Sequence, residues 1–397
     1  MSQRYDICIV GGCGHVGLPL GMAFADQGKS VVLYDVNKAS IKKVNDAVMP
    51  FKENGAEQVL KRVVADNKLE ASDDNRVIAD SKAVVLVIGT PVDEHLNPKV
   101  SDIIRAIKEI EDQLTDDHLL ILRSTLFPGV TDKVYQYLRR QGKRTLVAFC
   151  PERIAEGHAL TELYELPQIV AGCSRKATKQ ASELFESLAQ KIIVVSPTEA
   201  EMAKLFTNTW RYINFAISNQ FYMIANSAGY DFYNIYNAMT EDYPRLKSFA
   251  KAGLAAGPCL FKDAMQLSSF SGNNFFLGHS AMLVNEGLPD FIVDAMKKKY
   301  DLTNMTVAIL GMAFKANNDD PRESLSYKLK KKLEIEAETV YCHDPYIDDE
   351  RFVNLETIRE EADIVVVATP HSVYADEAWD DKIVVDMWNF YGKGGLV

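Results

Sequence analysis

One cysteine lies in a setting that could make it a nucleophile. Cys259 belongs to the run Gly257-Pro258-Cys259-Leu260-Phe261-Lys262-Asp263, between a Gly-Pro turn and a Lys-Asp pair, and apolar residues at helical spacing follow it. A cysteine in the first turn of a helix is close to unpaired backbone N–H groups and to the positive end of the helix dipole. Both favour the nucleophilic thiolate, and a nearby ammonium such as that of Lys262 adds to the effect. The alternative is a buried cysteine that only packs.

A second chemical signal lies near the start of the chain. The loop Gly12-Cys13-Gly14-His15-Val16-Gly17 follows an apolar run, precedes a helical pattern, and is followed by the strand 31–34, which ends at Asp35. Strand, G-x-G-x-x-G, helix, strand and acid together form the dinucleotide-binding fingerprint. The glycines let the backbone approach a pyrophosphate at the helix N-terminus. Asp35 should accept hydrogen bonds from the adenosine ribose and repel a 2′-phosphate, which favours NAD over NADP. The alternative is a glycine-rich turn that serves packing alone.

Polar residues follow the next predicted strands. The apolar runs 83–88, 119–122 and 146–149 alternate with helical patterns, which predicts a doubly wound parallel sheet. Ligands in such sheets bind beyond the carboxyl ends of the strands, where Thr90, Thr125 and Glu152 lie. These three residues are therefore candidates for a site. The alternatives are helix N-caps for the threonines and a solvated loop acid for Glu152.

A long helix is predicted from Glu199 to about Ala228, without Pro or Gly. It would span roughly 45 Å. Lys204, Asn208 and Arg211 share one face of it by their spacing, which indicates either a functional face or simply the wet side of the helix. A helix of this length more often joins domains than lies inside one. A largely helical section that contains Cys259 continues to Tyr300.

The alternation of strands and helices restarts at Met305 and predicts a second, smaller Rossmann-like unit without a full G-x-G-x-x-G. Lys315 and Arg322 fall where its strand-end crevice should be, placed to meet phosphates; the alternative is that they are surface basic residues. We expect the last helix of this unit to be short or absent. The predicted fold is α/β, with two Rossmann-like doubly wound domains joined by a long helix and a helical central domain. The predicted domains are residues 1–197, 198–302 and 303–397.

The composition excludes several classes of protein. The net charge of −11 over 397 residues argues against a nucleic-acid binder. The six cysteines are scattered without a Cys-x-x-Cys pair, so neither a zinc site nor a disulfide framework is expected, and we predict no metal. No apolar run reaches membrane-spanning length, and the first residues lack a signal peptide's apolar region. We therefore expect a cytoplasmic protein without a membrane or nucleic-acid partner.

Taken together, the motifs resemble the UDP-glucose/GDP-mannose dehydrogenase family over essentially the whole chain. In chain order, the matching stretches are 12–17, Ser124-Thr125-Leu126-Phe127-Pro128-Gly129, Cys150-Pro151-Glu152-Arg153, Glu201-Met202-Ala203-Lys204 with Asn208, Gly257-Pro258-Cys259 with Lys262-Asp263, and Gly311-x-x-Phe314-Lys315 through Asp320-x-Arg322-x-Ser324. The resemblance implies an NAD-binding N-terminal domain, a nucleotide-sugar-binding C-terminal domain and a site in the cleft between them. It also implies a homodimer or higher homo-oligomer formed through the middle domain.

The resemblance further implies a reaction. The C6 hydroxymethyl of a UDP-hexose, either UDP-glucose or a UDP-N-acetylhexosamine, would be oxidised to the uronate with two NAD⁺. By the family pattern, Cys259 adds to the aldehyde, and the thiohemiacetal gives up the second hydride and becomes a thioester that water hydrolyses. The need for sulfur is physical, because an aldehyde is a poor hydride donor whereas a tetrahedral adduct is a good one and is held in place.

Residue roles are carried over from the family. Lys204 and Asn208 would stabilise oxyanions, and Asp263 with Thr125 or Glu152 would handle protons. The predicted catalytic residues are Cys259, Lys204, Asn208, Asp263, Glu152 and Thr125. The predicted cofactor-binding residues are Gly12, Gly14, His15, Val16, Gly17, Asp35, Thr90, Thr125, Lys262 and Arg322. The predicted substrate-binding residues are Glu152, Arg153, Lys204, Asn208, Arg245, Gly257 and Lys315.

Some residues depart from the commonest family pattern. Ala255-Ala256 stands where Gly-Gly often precedes the nucleophile, and Pro151-Glu152-Arg153 together with Phe127-Pro128-Gly129 favours members that act on N-acetylated hexosamines. The alternatives are a GDP-mannose 6-dehydrogenase, a two-electron NAD oxidoreductase without covalent catalysis, and a binding or regulatory module without turnover. The presence of Cys259, Lys204 and Asp263 argues against the last of these.

Overall fold

The structure is a computed structural model that describes residues 4–90, 92–93, 98–254, 257, 259–395 and 397. These residues form two compact units, divided between Thr207 and Asn208. In and just before the run 257–263, here called the thiol motif, three residues lie outside the described residues: Ala255, Ala256 and Pro258.

The first unit contains an eight-stranded sheet in the order β3-β2-β1-β4-β5-β6-β7-β8. Its strands are β1 (Tyr5–Val10), β2 (Val31–Tyr34), β3 (Leu69–Ser72), β4 (Ser81–Leu86), β5 (Leu119–Leu122), β6 (Leu146–Phe149), β7 (Gln168–Gly172) and β8 (Ile192–Val194). Its helices are α1 (Gly17–Asp26), α2 (Lys38–Asn45), α3 (Ala56–Ala65), α4 (Arg76–Ala79), α5 (Val100–Ile110), α6 (Val130–Arg140), α7 (Ala159–Glu165) and α8 (Arg175–Phe185).

The central strands are apolar on both faces because each face is covered. In β1, Ile7 and Ile9 belong to one hydrophobic core, whereas Cys8 and Val10 belong to another on the opposite face. Alternate residues of a strand point to opposite faces, so a continuous apolar run fits a strand that is buried on both sides. The predicted doubly wound architecture is confirmed for this unit.

The sheet departs from the predicted parallel order at one edge. Strand β7 pairs antiparallel with β6, and β8 runs parallel to β7. The segment between β6 and β7 therefore starts and finishes at the same end of the strands, without crossing over to their opposite end. This keeps the loop that carries Glu152 and Arg153 at the carboxyl ends of the parallel strands.

The long helix α9 runs from Pro197–Ser227 as one element of 31 residues, about 46 Å long. The predicted helix is confirmed, and it begins two residues earlier than expected. The division between the two compact units falls inside it. The division into three domains stays a prediction.

The second unit combines helices with a four-stranded sheet in the order β10-β9-β11-β12, whose strand pairs are all parallel. Its strands are β9 (Thr306–Leu310), β10 (Thr339–His343), β11 (Ile364–Val367) and β12 (Ile383–Val385). Besides the end of α9, its helices are α10 (Phe232–Thr240), α11 (Leu260–Phe270), α12 (Phe276–Lys299), α13 (Leu325–Glu336) and α14 (Leu355–Glu361). No α-helix follows β12 in residues 386–395 or at 397, as expected. Among the helices that the structure describes, none is long and apolar enough to cross a membrane.

One hydrophobic core unites the helices and the sheet of this unit. Phe232 of α10, Leu288 of α12, Ile309 of β9 and Val366 of β11 all belong to it. The thiol helix α11 packs with α9 and α12 in a smaller core that contains Tyr212, Leu260 and Ala281. The predicted fold class, two Rossmann-like sheets with a long helix and a helical section between them in sequence, is confirmed.

Candidate active site

The three glycines of the Gly12–Gly17 loop differ in their surroundings: two are closely packed and one is open. A Cβ at Gly12 would lie 2.7 Å from the Leu33 side chain, and a Cβ at Gly17 would lie 2.7 Å from the Gly11 carbonyl oxygen. These two glycines allow the tight turn and the close packing of α1. A Cβ at Gly14 would meet no atom nearer than 4.0 Å, and Gly14 is exposed, so its backbone is open to a ligand. The open backbone at the start of α1 fits the pyrophosphate of NAD.

Asp35 lies where the dinucleotide fingerprint requires an acid. Its carboxylate accepts hydrogen bonds from the Cys13 and Asn37 N–H groups, both at 2.9 Å. Each bond uses a different oxygen, and a carboxylate oxygen has a second lone pair for a ribose hydroxyl. In the same loop, the His15 ring stacks on Phe51 with the centroids 4.0 Å apart, and Val16 is the N-cap residue of α1.

Two loops at the strand ends are joined to each other. The Ile88 N–H donates to Ser124 Oγ at 2.8 Å, which ties the loop that carries Thr90 to the loop that carries Thr125. Both threonines are half-buried. The N-cap of α5 is Lys99 and that of α6 is Gly129, so neither threonine serves as the N-cap of the helix that follows it. The helix N-cap alternative for these two residues is therefore wrong, and their role in a site stays a prediction.

Glu152 is buried rather than solvated. Its Oε2 accepts from Arg123 Nε at 2.8 Å, and Oε1 accepts from the N–H groups of Arg153 (2.7 Å) and Ile154 (3.0 Å). Arg123 is fully buried and also donates to the Cys150 carbonyl and to Gln168. The Arg153 guanidinium donates to the Pro167 carbonyl, and burial lowers the pKa of Arg153. The Glu152 carboxylate thus shapes its own loop.

Glu201 is a site element that the predicted residue roles missed. It is fully buried on α9, and it accepts hydrogen bonds from the Gly129 N–H (2.6 Å), the Thr131 N–H (2.8 Å) and the Thr131 hydroxyl (2.6 Å). Burial raises the pKa of Glu201, although these hydrogen bonds oppose the shift. Glu201 therefore caps the N-terminus of α6 and fixes the start of α9, three residues before the buried Lys204. The signal in the sequence was its place in the Glu201–Lys204 motif.

The thiol lies at the start of a helix, as the sequence predicts. Cys259 is the N-cap residue of α11 and is exposed. Gly257, two residues earlier, has a φ of +123°, and a Cβ there would lie 2.7 Å from the Phe314 ring. Glycine is therefore required at 257 by both the backbone conformation and the close approach of the ring. This contact brings the thiol motif together with the Phe314-Lys315 motif.

A buried polar cluster lies on the same helix as the thiol. The Asp263 carboxylate is fully buried and accepts from Asn208 Nδ2 at 2.6 Å and from Lys262 Nζ at 2.9 Å. Burial of Lys262 disfavours its charge, but the negative charges of Asp263 and Cys259 outweigh this and raise the pKa of Lys262. Cys259 and Lys262 are therefore close enough to interact electrostatically. The second unit thus brings Cys259, Lys262, Asp263 and Asn208 together.

The remaining predicted residues of the second unit lie on three segments. Lys315 is half-buried in the loop after β9. Arg322 is exposed, and its guanidinium donates to both oxygens of the buried Asp320 carboxylate, from Nε to Oδ1 (2.9 Å) and from Nη2 to Oδ2 (2.5 Å). Arg245 lies in a short 3-10 turn beside the Tyr243 hydroxyl, 3.0 Å away, and no hydrogen bond or ion pair between described residues links it to α11.

A groove of about 640 Å³ runs beside the thiol helix in this unit. Gly257 and Phe261 line one side of it, and Arg322, Lys328 and Lys331 supply positive charge. The groove also contains Glu286, whose pKa is raised by burial although Lys328 opposes the shift. Among the described residues, no group of three or more His, Cys, Asp or Glu side chains could hold a metal ion.

Comparison with known proteins agrees with this geometry. Three models of the UDP-glucose/GDP-mannose dehydrogenase family match the chain: the NAD binding domain over residues 5–190, the central domain over 198–286 and the UDP binding domain over 308–393. The UDP-N-acetyl-D-mannosamine dehydrogenase of Pyrococcus horikoshii is 31% identical over 395 residues, which cover 94% of this chain and 93% of that protein.

Solved structures give the same picture. The structure of the Pyrococcus horikoshii UDP-D-ManNAc dehydrogenase matches with a TM-score of 0.89 at 31% identity, covering 97% of this chain and 95% of the other. A UDP-glucose dehydrogenase from Pyrobaculum islandicum matches with a TM-score of 0.88 at 23% identity, covering 99% and 97%, and at that identity it supports the fold alone.

The fold and the glycine-rich loop define an NAD-dependent oxidoreductase with two Rossmann-like sheets. The chain belongs to the UDP-glucose/GDP-mannose dehydrogenase family, and its cofactor is NAD. The resemblance found in the sequence motifs is confirmed.

Proposed function

We propose that this protein oxidises the C6 hydroxymethyl group of a UDP-hexose to the carboxylate with two NAD⁺, and that an N-acetylated hexosamine is the preferred sugar. The observation that carries the proposal is the exposed Cys259 at the N-cap of α11, with the Lys262–Asp263–Asn208 cluster on and beside that helix. The similarity to the Pyrococcus horikoshii UDP-N-acetyl-D-mannosamine dehydrogenase supports the choice of sugar, as does the Pro151-Glu152-Arg153 sequence.

The reaction needs two oxidations and one hydrolysis. In the first oxidation, the substrate alcohol loses a proton from oxygen and a hydride from C6, which gives the aldehyde. The Cys259 thiolate then forms a C–S bond with the aldehyde carbon while the C=O π bond breaks, and the resulting thiohemiacetal alkoxide loses the second hydride and re-forms the carbonyl of a thioester. Water cleaves the C–S bond, which releases the carboxylate and restores the thiol. NAD⁺, when bound, supplies the hydride acceptor in both oxidations.

The residues of the chain would divide the work as follows. Lys204 and Asn208 stabilise the oxygen as it gains negative charge. Asp263 is fully buried between Asn208 and Lys262, so its best-supported role is to orient these two donors. Thr125 and Glu152 hold protons or water at the strand ends, with the Glu152 carboxylate fixed by Arg123.

The binding roles follow from the loop positions. The cofactor would be held by Gly12, Gly14, His15, Val16, Gly17, Asp35, Thr90, Thr125, Lys262 and Arg322. Lys315 would bind the diphosphate of the nucleotide sugar, with Gly257, Arg153 and Arg245 near the sugar. A reducing cytoplasm, which supplies NAD and keeps a reactive thiol reduced, stays the predicted location.

A homodimer is part of the proposal. Helix α9 exposes large apolar side chains at helical spacing along one stretch, Trp210, Ile217, Phe221 and Ile224. An apolar stripe of this kind on a long helix is typical of a face that packs against another helix. A second copy of the chain is the occupant that the family resemblance implies.

One experiment tests the reaction and the sugar together. The purified protein is given UDP-glucose, several UDP-N-acetylhexosamines and GDP-mannose, and NADH release is recorded with the mass of the product. We expect two NADH for each acid formed, with a UDP-N-acetylhexosamine as the best substrate. One NADH per product, with an aldehyde or ketone as the only product, would contradict the four-electron reaction. Preference for GDP-mannose would contradict the assignment of the nucleotide.

A further inference from the structure

A buried carboxylate in the second unit ties two strand ends together. Asp344 directly follows β10, and its side chain is fully buried. Its Oδ2 accepts the N–H groups of Met312 (2.6 Å) and Ala313 (2.9 Å), which follow β9, while Oδ1 accepts the Tyr346 N–H at 2.9 Å. The hydrogen bonds and the neighbouring His371 keep the pKa of Asp344 below its ordinary value despite its burial. The carboxylate is therefore a charged anchor for the loop after β9.

The histidine partner extends the anchor to a third strand end. His371 lies after β11, is fully buried, and places Nε2 3.0 Å from Asp344 Oδ2. Its Nδ1 accepts the Asn317 N–H at 2.8 Å. Since Nδ1 accepts a hydrogen bond, the network assigns the ring proton to Nε2, which donates to Asp344. Both ring nitrogens are thus used, and the rings of Tyr346 and Tyr374 meet the imidazole edge-on.

The segment held in this way carries Lys315. Asp344 fixes its beginning at Met312 and Ala313, and His371 fixes its end at Asn317. Asn317 has a φ of +58°, and its side-chain oxygen accepts from the Ser372 N–H and hydroxyl, both at 2.9 Å. Asparagine tolerates this left-handed conformation better than most residues, and the bonds to Ser372 and His371 hold Asn317 in it. The loop is therefore rigid at both ends, with Lys315 between them.

The same segment contacts the thiol motif. Phe314, next to Lys315, lies so close to Gly257 that a Cβ at 257 would come within 2.7 Å of its ring. The Phe314 N–H donates to the Asp320 carbonyl at 3.0 Å, which holds the backbone that carries the ring. A shift of the loop would therefore move the chain two residues before Cys259.

We propose that the Asp344–His371 pair is a positioning device for substrate binding, which holds Lys315 ready for the diphosphate and Phe314 against the thiol motif. The inference rests on the proposed function, because it assigns the loop to the nucleotide sugar. Both side chains are fully buried and have their polar atoms occupied, so they act through the loop rather than on the ligand. Pre-organising the loop removes an ordering cost that binding would otherwise carry.

The test uses two amide variants that each keep one of the two bonds. In His371→Asn the amide oxygen stands near the place of Nδ1, so the bond to the Asn317 N–H is kept and the bond to Asp344 is lost. In His371→Gln the amide nitrogen stands near the place of Nε2, so the opposite bond is kept. His371→Leu removes both bonds. If His371→Leu does not fold, the two amide variants carry the test.

A matched control exists in the same sheet domain. The Tyr391 hydroxyl accepts from Trp379 Nε1 at 3.0 Å and donates to the Tyr374 carbonyl at 3.1 Å, so Tyr391→Phe also removes two hydrogen bonds. Neither of these bonds reaches residues 311–317. The readouts are kcat, KM for the nucleotide sugar, KM for NAD, the dissociation constant for UDP by calorimetry, and the thermal midpoint.

We expect each amide variant to raise the KM for the nucleotide sugar and the Kd for UDP about tenfold, which is the loss of about 1.4 kcal/mol. His371→Leu should raise them further. KM for NAD should stay within about twofold of the wild-type value. Tyr391→Phe should leave UDP binding unchanged, although its thermal midpoint should be similar to that of the His371 variants. Equal effects on both substrates, or unchanged UDP binding in all His371 variants, would overturn the inference. A wild-type protein that does not bind UDP would instead overturn the proposed function.

Discussion

At the scale of single residues, two glycines of one loop have opposite tasks although they belong to one motif. Gly17 is crowded, because a Cβ there would lie 2.8 Å from Gly12 Cα and 2.7 Å from the Gly11 oxygen. Gly14 is open, because the nearest atom to a Cβ at this position would be the Gly11 carbonyl oxygen, 4.0 Å away. The fold therefore needs a glycine at 17, whereas we propose that the pyrophosphate of the cofactor needs the glycine at 14.

This contrast gives a matched pair of substitutions. Gly14→Ala should leave the thermal midpoint unchanged and raise KM for NAD about tenfold or more, because the methyl group occupies the space of the pyrophosphate. Gly17→Ala should destabilise the fold by about 1–3 kcal/mol through overpacking. Thermal unfolding and NAD titration distinguish the two. A Gly14→Ala protein with normal NAD binding would show that the pyrophosphate does not lie on this loop.

At the scale of elements, a buried acid near the start of α9 ties this helix to the N-terminus of α6. Glu201 reaches the N-terminus of α6 and satisfies two backbone N–H groups and one hydroxyl there. Glu199, in the first turn of α9, is exposed and bonds only locally, to the N–H and hydroxyl of Ser196. The helix therefore carries two carboxylates of the same type in opposite environments.

Glu201→Gln should lower the free energy of unfolding by about 1–3 kcal/mol at neutral pH. Both carboxylate oxygens of Glu201 accept hydrogen bonds, whereas the NH₂ group of an amide can only donate. Burial raises the pKa of Glu201 above its ordinary 4.5, so the folded state binds the proton more tightly than the unfolded chain. The stability that proton binding adds is fully present below 4.5 and is lost as pH rises through the folded pKa, whereas the contribution of the hydrogen bonds remains. The gap between wild type and variant should therefore widen as pH falls from 7, measured by urea unfolding.

The control is Glu199→Gln. Hydrogen bonds from Ser196 lower the pKa of Glu199, so its contribution is lost as pH falls, which is the opposite slope. A gap for Glu201→Gln that narrows toward low pH would contradict the burial argument.

At the scale of the whole molecule, sequence reasoning recovered what is local. The glycine loop, the strand ends, the length of α9 and the helix start at Cys259 each depend on residues that are close in sequence. The partners of buried charges were not predictable in this way. Glu201 meets Thr131, Arg123 meets Glu152 and Asp344 meets His371 across 70, 29 and 27 residues, and only the tertiary fold brings them together.

Strand direction was likewise hidden from the sequence. Strand β7 has the apolar residues of a buried strand, and its pattern is the same whether it runs parallel or antiparallel to β6. The direction of β7 is reversed because the connection from β6 begins and finishes at the same end of the strands. That return keeps Glu152 and Arg153 near the ends of the parallel strands, so a feature outside the sequence pattern positions two candidate site residues.

The central claim is that the sulfur of Cys259 carries the half-oxidised sugar. The most direct test quenches the enzyme with acid during turnover of the best UDP-sugar and NAD⁺, and then measures the intact and peptide masses. We expect a transient uronyl adduct on the peptide that contains Cys259, and in Cys259→Ser neither the adduct nor acid production, with NAD binding retained. Wild-type rates of acid formation by Cys259→Ser, with no adduct on Cys259 in the wild type, would contradict the account.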